Sequence, residues 1–102
     1  RQVDANTLAE KLENCLEKNN LENFPDKTIP KICSLNENVL NQSYFIKIKE
    51  NEKIIYEIGS GDSTQCALAE KNINFPRCAN AAIENKNIFF EVGASQRRRE
   101  KL

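Results

Sequence analysis

The residues with the clearest chemistry in this chain are four cysteines, Cys15, Cys33, Cys66 and Cys78. An even number of cysteines in 102 residues predicts a disulfide framework formed in an oxidising compartment. Three pairings are open to four cysteines. The expectation is the sequential one, Cys15–Cys33 and Cys66–Cys78, two local loops that each tie the end of a helical stretch to the start of the next segment. Each loop would contribute about 3 kcal/mol in the chain-entropy model, a large share of a small domain's stability. Zinc is the weaker alternative. The chain has no histidine, and the 17, 32 and 11 residues between successive cysteines include no close pair of the kind that holds zinc.

Other chemistry finds less support. Ser60, Ser63 and Thr64 lie around Asp62, but without histidine a nucleophile there would need a lysine or carboxylate base. Gly59-Ser60-Gly61-Asp62-Ser63-Thr64 reads first as a turn. It lacks the Gly-x4-Gly-Lys-Ser/Thr spacing of a phosphate loop. Fifteen basic residues balance fifteen acidic ones, which removes the overall field as an argument for nucleic acid or an anionic membrane. Arg97-Arg98-Arg99 reads as part of a polar terminus, with a phosphate-rich partner as the alternative. Asn41-Gln42-Ser43 is a glycosylation sequon, meaningful only in a eukaryotic secretory setting. No metal or cofactor is expected, and the chain is expected to bind or assemble, not to catalyse.

The elements that must position the cysteines follow from periodicity. Ala5, Leu8, Ala9, Leu12, Cys15 and Leu16 form the apolar stripe of a helix over 4–18, with Asp4 as its cap and Asn19-Asn20 ending it in a left-handed turn. Glu10, Lys11, Glu13, Asn14, Glu17 and Lys18 make its solvated face. A long connection over 19–42 carries Pro25, Pro30 and Cys33, with one or two helical turns predicted from the capping pattern Ser34-x-x-Glu37. Strict alternation predicts strands at 43–50 and 53–59, joined as an antiparallel hairpin at Asn51. One face carries Tyr44, Ile46, Ile48, Ile54, Tyr56 and Ile58; Phe45, Lys47, Lys49, Ile55 and Glu57 point the other way. A short helix is expected over 63–71, with a strand through Cys66 as the alternative. The alanines of 79–83 suggest a further helical turn or two, and a third strand follows at 87–93.

The predicted fold is therefore α+β: an amphipathic N-terminal helix packed on one face of a small, mainly antiparallel sheet. Residues 1–93 form one disulfide-stapled domain, and 94–102 form a polar, basic tail. The predicted core is Leu8, Leu12, Leu16, Ile46, Ile48, Ile54, Tyr56 and Ile58. The chain begins at Arg1 and contains no methionine, so a native start is expected to precede it, with a signal peptide and a hydrophobic anchor as the two candidates. No run of eighteen apolar residues occurs, so no membrane span is expected in this chain.

Each cysteine pair encloses the same word. Cys15 is followed by Asn23-Phe24-Pro25 and Cys33, and Cys66 by Asn74-Phe75-Pro76 and Cys78. A strand follows each, at 44–48 and 88–92, which suggests either a degenerate duplication or a coincidence of biased composition. The second loop, Cys66 to Phe75-Pro76-Arg77-Cys78, resembles the disulfide loop that closes the heads of type IV pilins. The upstream order of helix, connecting loop and antiparallel strands is also similar. Pilins usually place more strand before that loop and end soon after its second cysteine, whereas this chain continues. The resemblance implies a non-enzymatic, extracytoplasmic assembly subunit. The alternative is a small secreted or periplasmic binding module, such as an inhibitor or immunity protein. In either case the partner is protein, and the stapled loops are expected at the rim of the contact surface, with Phe24, Lys31, Lys71, Phe75 and Arg77 as candidate contacts.

Overall fold

The computed structural model describes residues 4–19, 29–59, 66–68 and 75–96. Helix α1, Ala5–Lys18, lays Ala5, Leu8, Ala9, Leu12 and Leu16 into the core. The spacing of these residues puts them on one stripe, and the stripe needs an apolar sheet face to bury against. Asp4 caps the start. It is extended (φ −84°, ψ 175°), and its carboxylate accepts the Thr7 backbone N–H at 2.8 Å. Asn19 ends the helix by a different route from the left-handed turn expected of it. Its backbone is extended (φ −119°, ψ 144°), and its side-chain amide turns back to donate to the Cys15 carbonyl at 2.8 Å.

Among the described residues the long connection contains two short helices, α2 (Ile29–Ile32) and α3 (Glu37–Ser43). Ser34 does not cap α3. It sits in the left-handed region (φ 59°), while Asn36 Oδ1 accepts the backbone N–H groups of Asn38 and Val39 at 3.0 and 3.2 Å. Burial of Leu35, Val39 and Leu40 sets where the helix lies, and Asn is among the best residues to precede it. The Cys15–Cys33 disulfide ties α1 to the residue after α2, with Cα atoms 5.5 Å apart. The second bond, Cys66–Cys78, spans 5.6 Å, so the pairing is the sequential one.

Four strands follow: β1 (Tyr44–Glu50), β2 (Lys53–Gly59), β3 (Arg77–Ile83) and β4 (Ile88–Ala94). They form one antiparallel sheet in the order β2-β1-β4-β3. Two hairpins thus lie side by side, with β1 and β4 central. Sequence predicts three strands, and the fourth is β3, where helical turns were expected over 79–83. Each residue from Arg77 to Ile83 instead pairs with β4. The alanines serve packing: Ala79 and Ala81 face α1, which lies directly over β3, and small side chains let it approach. Alanine's helix preference is a weak prior that such pairing overrides. Of the helix expected over 63–71, Cys66 is helical and Ala67–Leu68 form a turn, and the flanking residues lie outside the described ones.

The hairpin turn is Asn51-Glu52, both with positive φ (50° and 70°), closed by the pair Glu50↔Lys53. A bulge follows, since Ile48 pairs with Tyr56 but Lys49 with Ile54. This corrects one predicted core residue. The extra residue turns Ile55 toward the core and throws Ile54 to the outer face, 53% exposed. Leu8, Leu12, Leu16, Ile46, Ile48 and Tyr56 are buried as expected, and Ile58 is half-buried against them. β4 runs through the buried Ala94, and the Ser95 N–H donates to the Ser43 carbonyl at 2.8 Å. The expected tail thus begins with residues held to the sheet; Arg97–Arg99 lie outside the described residues. The echo is not one repeated fold, because α3 follows Cys33 whereas Cys78 lies within β3.

Candidate functional site

Helices α1 and α3 cover one face of the sheet, and α1 lies over β3 and β4 while α3 lies over β1 and β2. The other face is read directly from register, since opposed residues in an antiparallel sheet share a face. Three rows cross it. The first is Gly59–Phe45–Gly93–Cys78, the second Glu57–Lys47–Glu91–Asn80 and the third Ile54–Lys49–Phe89–Ala82.

The rows differ in how they meet water. In the first, Phe45 is buried with its ring against Gly93; a Cβ on Gly93 would land inside that ring. The second row is polar and alternates in charge, with Lys47 Nζ 3.7 Å from Glu57 Oε2 and Glu91 opposite Lys47 on the other side. The third presents Phe89, 65% exposed on a central strand, with Ile54 across Lys49. Beside Phe89 lies a shallow groove bordered by Lys47, Lys49, Asn80, Ala82 and Glu91. An apolar stripe rimmed by mixed charges has the make-up of a protein contact surface.

The residues singled out from the sequence are not gathered at one place. Phe24 and Lys71 lie outside the described residues, as do Ser60, Asp62, Ser63 and Thr64. Lys31 is exposed on α2, beside the staple that meets α1 at Cys15. Phe75 and Arg77 belong to the other staple, whose Cys66, Arg77 and Cys78 border the start of α1 at Asp4, Ala5 and Asn6. Asp4 and Cys15 are eleven positions apart, roughly 16 Å of helical rise. At the second staple, Arg77 Nε donates to Gln96 Oε1 at 3.0 Å and Gln96 Nε2 to the Phe75 carbonyl at 2.8 Å. Phe75 is half-buried. Asn41 of the sequon is exposed on α3.

Sequence reading missed both Phe89 and Ile54 as surface residues. Phe89 could have been found, because 88–92 alternates and Phe90 claims the inner face. Ile54 could not, because nothing in the sequence announces the bulge. Among the described residues no three of His, Cys, Asp and Glu converge as metal ligands, and all four cysteines are spent in disulfides. Compared with protein-family models, curated proteins and solved structures, the chain matches none.

Proposed function

We propose that this chain is a non-enzymatic, extracytoplasmic protein-binding module that docks its partner on the sheet face opposite α1 and α3. The observation that carries the reading is the row Ile54–Lys49–Phe89–Ala82, with two large apolar side chains more than half exposed on one face. Fully burying a side chain of this kind is worth about 1.5–3 kcal/mol, so a partner covering both gains what the fold leaves unused. The two disulfides are consistent with an oxidising extracytoplasmic location. Among the described residues no helix is long and apolar enough to cross a membrane.

The second reading is a structural subunit of pilin type. An N-terminal helix on an antiparallel sheet supports it, as does the loop closing on Phe75-Pro76-Arg77-Cys78.

The test immobilises the oxidised chain and measures which proteins of its native extracytoplasmic fraction it retains. Three forms are compared: the wild type, the face variant Ile54→Lys/Phe89→Lys, and the loop variant Lys31→Glu/Lys71→Glu/Arg77→Glu. The face variant should lose a partner that the wild type holds, with Tm changed by no more than about 4 °C because both positions are exposed. Retention unchanged by the face variant but lost by the loop variant would move the contact to the staples. Turnover of a substrate abolished by changing Ser60 or Asp62 would overturn the non-enzymatic reading.

A further inference from the structure

The two outermost strands of the sheet are not protected alike. β2 carries Lys53 and Glu57, holds the bulged Ile55 opposite Ile48/Lys49, and ends at Gly59 with φ 91°. Charges, bulges and sharp ends are the devices that keep edge strands from pairing. From Cys78 to Ile83 β3 carries no charge and no bulge, and the Cys66–Cys78 disulfide holds Cys66–Leu68 beside its start. Its residues there are Cys, Ala, Asn, Ala, Ala and Ile, and its register with β4 is unbroken from Arg77↔Ala94 to Ile83↔Ile88. Among the described residues no backbone hydrogen bond reaches its outer side. Charge returns only at the two ends, with Arg77 at the start and exposed Glu84 immediately after the strand.

We propose that β3 pairs antiparallel with β3 of a second copy of this chain, about a two-fold axis at Asn80, to make one sheet running through both copies. The proposal goes beyond the docking face and does not depend on it. Opposed residues in an antiparallel pair share a face, so only registers that match inner residues with inner and outer with outer are allowed. Centring on Asn80 satisfies this. Ala79 then meets Ala81, Cys78 meets Ala82, and Arg77 meets Ile83 with Glu84 of the second copy beside it. Symmetry repeats the Arg77–Glu84 contact at the other end, so both terminal charges are matched and only small uncharged residues lie between. The guanidinium keeps further N–H groups for a carboxylate beyond the one given to Gln96. A net charge of zero leaves no long-range repulsion between copies. A contact of seven strand residues a side is small, and a weak dimer is expected, with Kd on the order of tens of micromolar.

Sedimentation equilibrium of the oxidised full chain from about 5 µM to about 1 mM, a range that brackets this Kd, tests the proposal. The wild type should dimerise. Arg77→Glu and Glu84→Arg should each weaken association about tenfold, with unchanged circular dichroism. The double reversal Arg77→Glu/Glu84→Arg should restore it, because the pair is re-formed with its signs exchanged. Amide exchange in 78–83 should slow as the dimer fills. A monomer at the highest concentration overturns the proposal. So does a dimer indifferent to both single reversals, including one abolished by Phe89→Lys, and so does failure of the double reversal to recover association.

Discussion

Lys86 offers the sharpest test of how the two layers are held together. It lies in the 3-10 turn Glu84–Lys86 between β3 and β4, yet its ammonium reaches the far end of α1. Nζ donates to the carbonyls of Leu16 at 3.0 Å, Glu17 at 2.9 Å and Asn19 at 3.4 Å. These are carbonyls that a helix end leaves without backbone partners, and they carry the negative end of its dipole. Asn19 takes the Cys15 carbonyl, so the two side chains divide the terminus between them. Replacing Lys86 by Met keeps most of the aliphatic stem and removes the donors. A hydrogen bond to a charged group is worth about 1.5–3 kcal/mol when buried. Lys86 is only half-buried and the Glu17 contact is exposed, so the clamp is discounted to about 1.5 kcal/mol in total. The dipole adds roughly 0.5 kcal/mol. A loss of about 2 kcal/mol lowers Tm by about 8–12 °C in a domain of this size. Thermal unfolding of the oxidised protein reads it directly, with Lys49→Met on the exposed sheet face as the control. A Lys86→Met shift no larger than the control's would refute the reasoning. Lys86→Arg should fall between, because a planar guanidinium cannot direct its N–H groups at three carbonyls as an ammonium does.

Two further predictions concern backbone and packing. Glu52 holds φ 70° in the hairpin turn, a region that costs a side chain about 1 kcal/mol and glycine nothing. Allowing for glycine's freer unfolded chain, Glu52→Gly should raise Tm by about 2–5 °C in calorimetry, and a fall would mean that the side chain supports the turn. Gly93→Ala forces the Phe45 ring off its seat and should destabilise by about 1–3 kcal/mol in urea unfolding. Phe45→Leu in the same chain should recover part of that loss, and strict additivity of the two changes would refute the contact.

The sequence made legible what periodicity and covalent arithmetic encode. The stripe on α1, the β1–β2 hairpin and the sequential cysteine pairing each rest on a local pattern or on loop length. The features it hid depend on distant partners. β3 reads as helix in isolation because alanine permits both states, and only the pairing with β4 and the nearness of α1 decide it. Asn36 rather than Ser34 caps α3 because burial of Leu35 and Val39 fixes the frame first. Ile54 faces outward through a bulge set by the register between β1 and β2. Lys86 carries no local signal at all, since its partners lie about seventy residues away.

The docking face has the same origin. Among the described residues α1 and α3 pack on one side of the sheet, and no described helix lies on the other. Exposure of that side therefore says nothing about function by itself, and the informative comparison is between two phenylalanines on it. Phe45 is accommodated: Gly93 beside it has no side chain, and the ring lies flat and buried. Phe89 stands two rows away with Lys49 and Ala82 as its neighbours and remains 65% exposed. The fold thus has a way of absorbing an outer-face aromatic and applies it at only one of the two sites. Strand preference does not require Phe at 89, since threonine serves an exposed strand position as well. The exposed ring is best explained by something that covers it, which is why the contact is assigned to the row through Phe89 and not to the face as a whole.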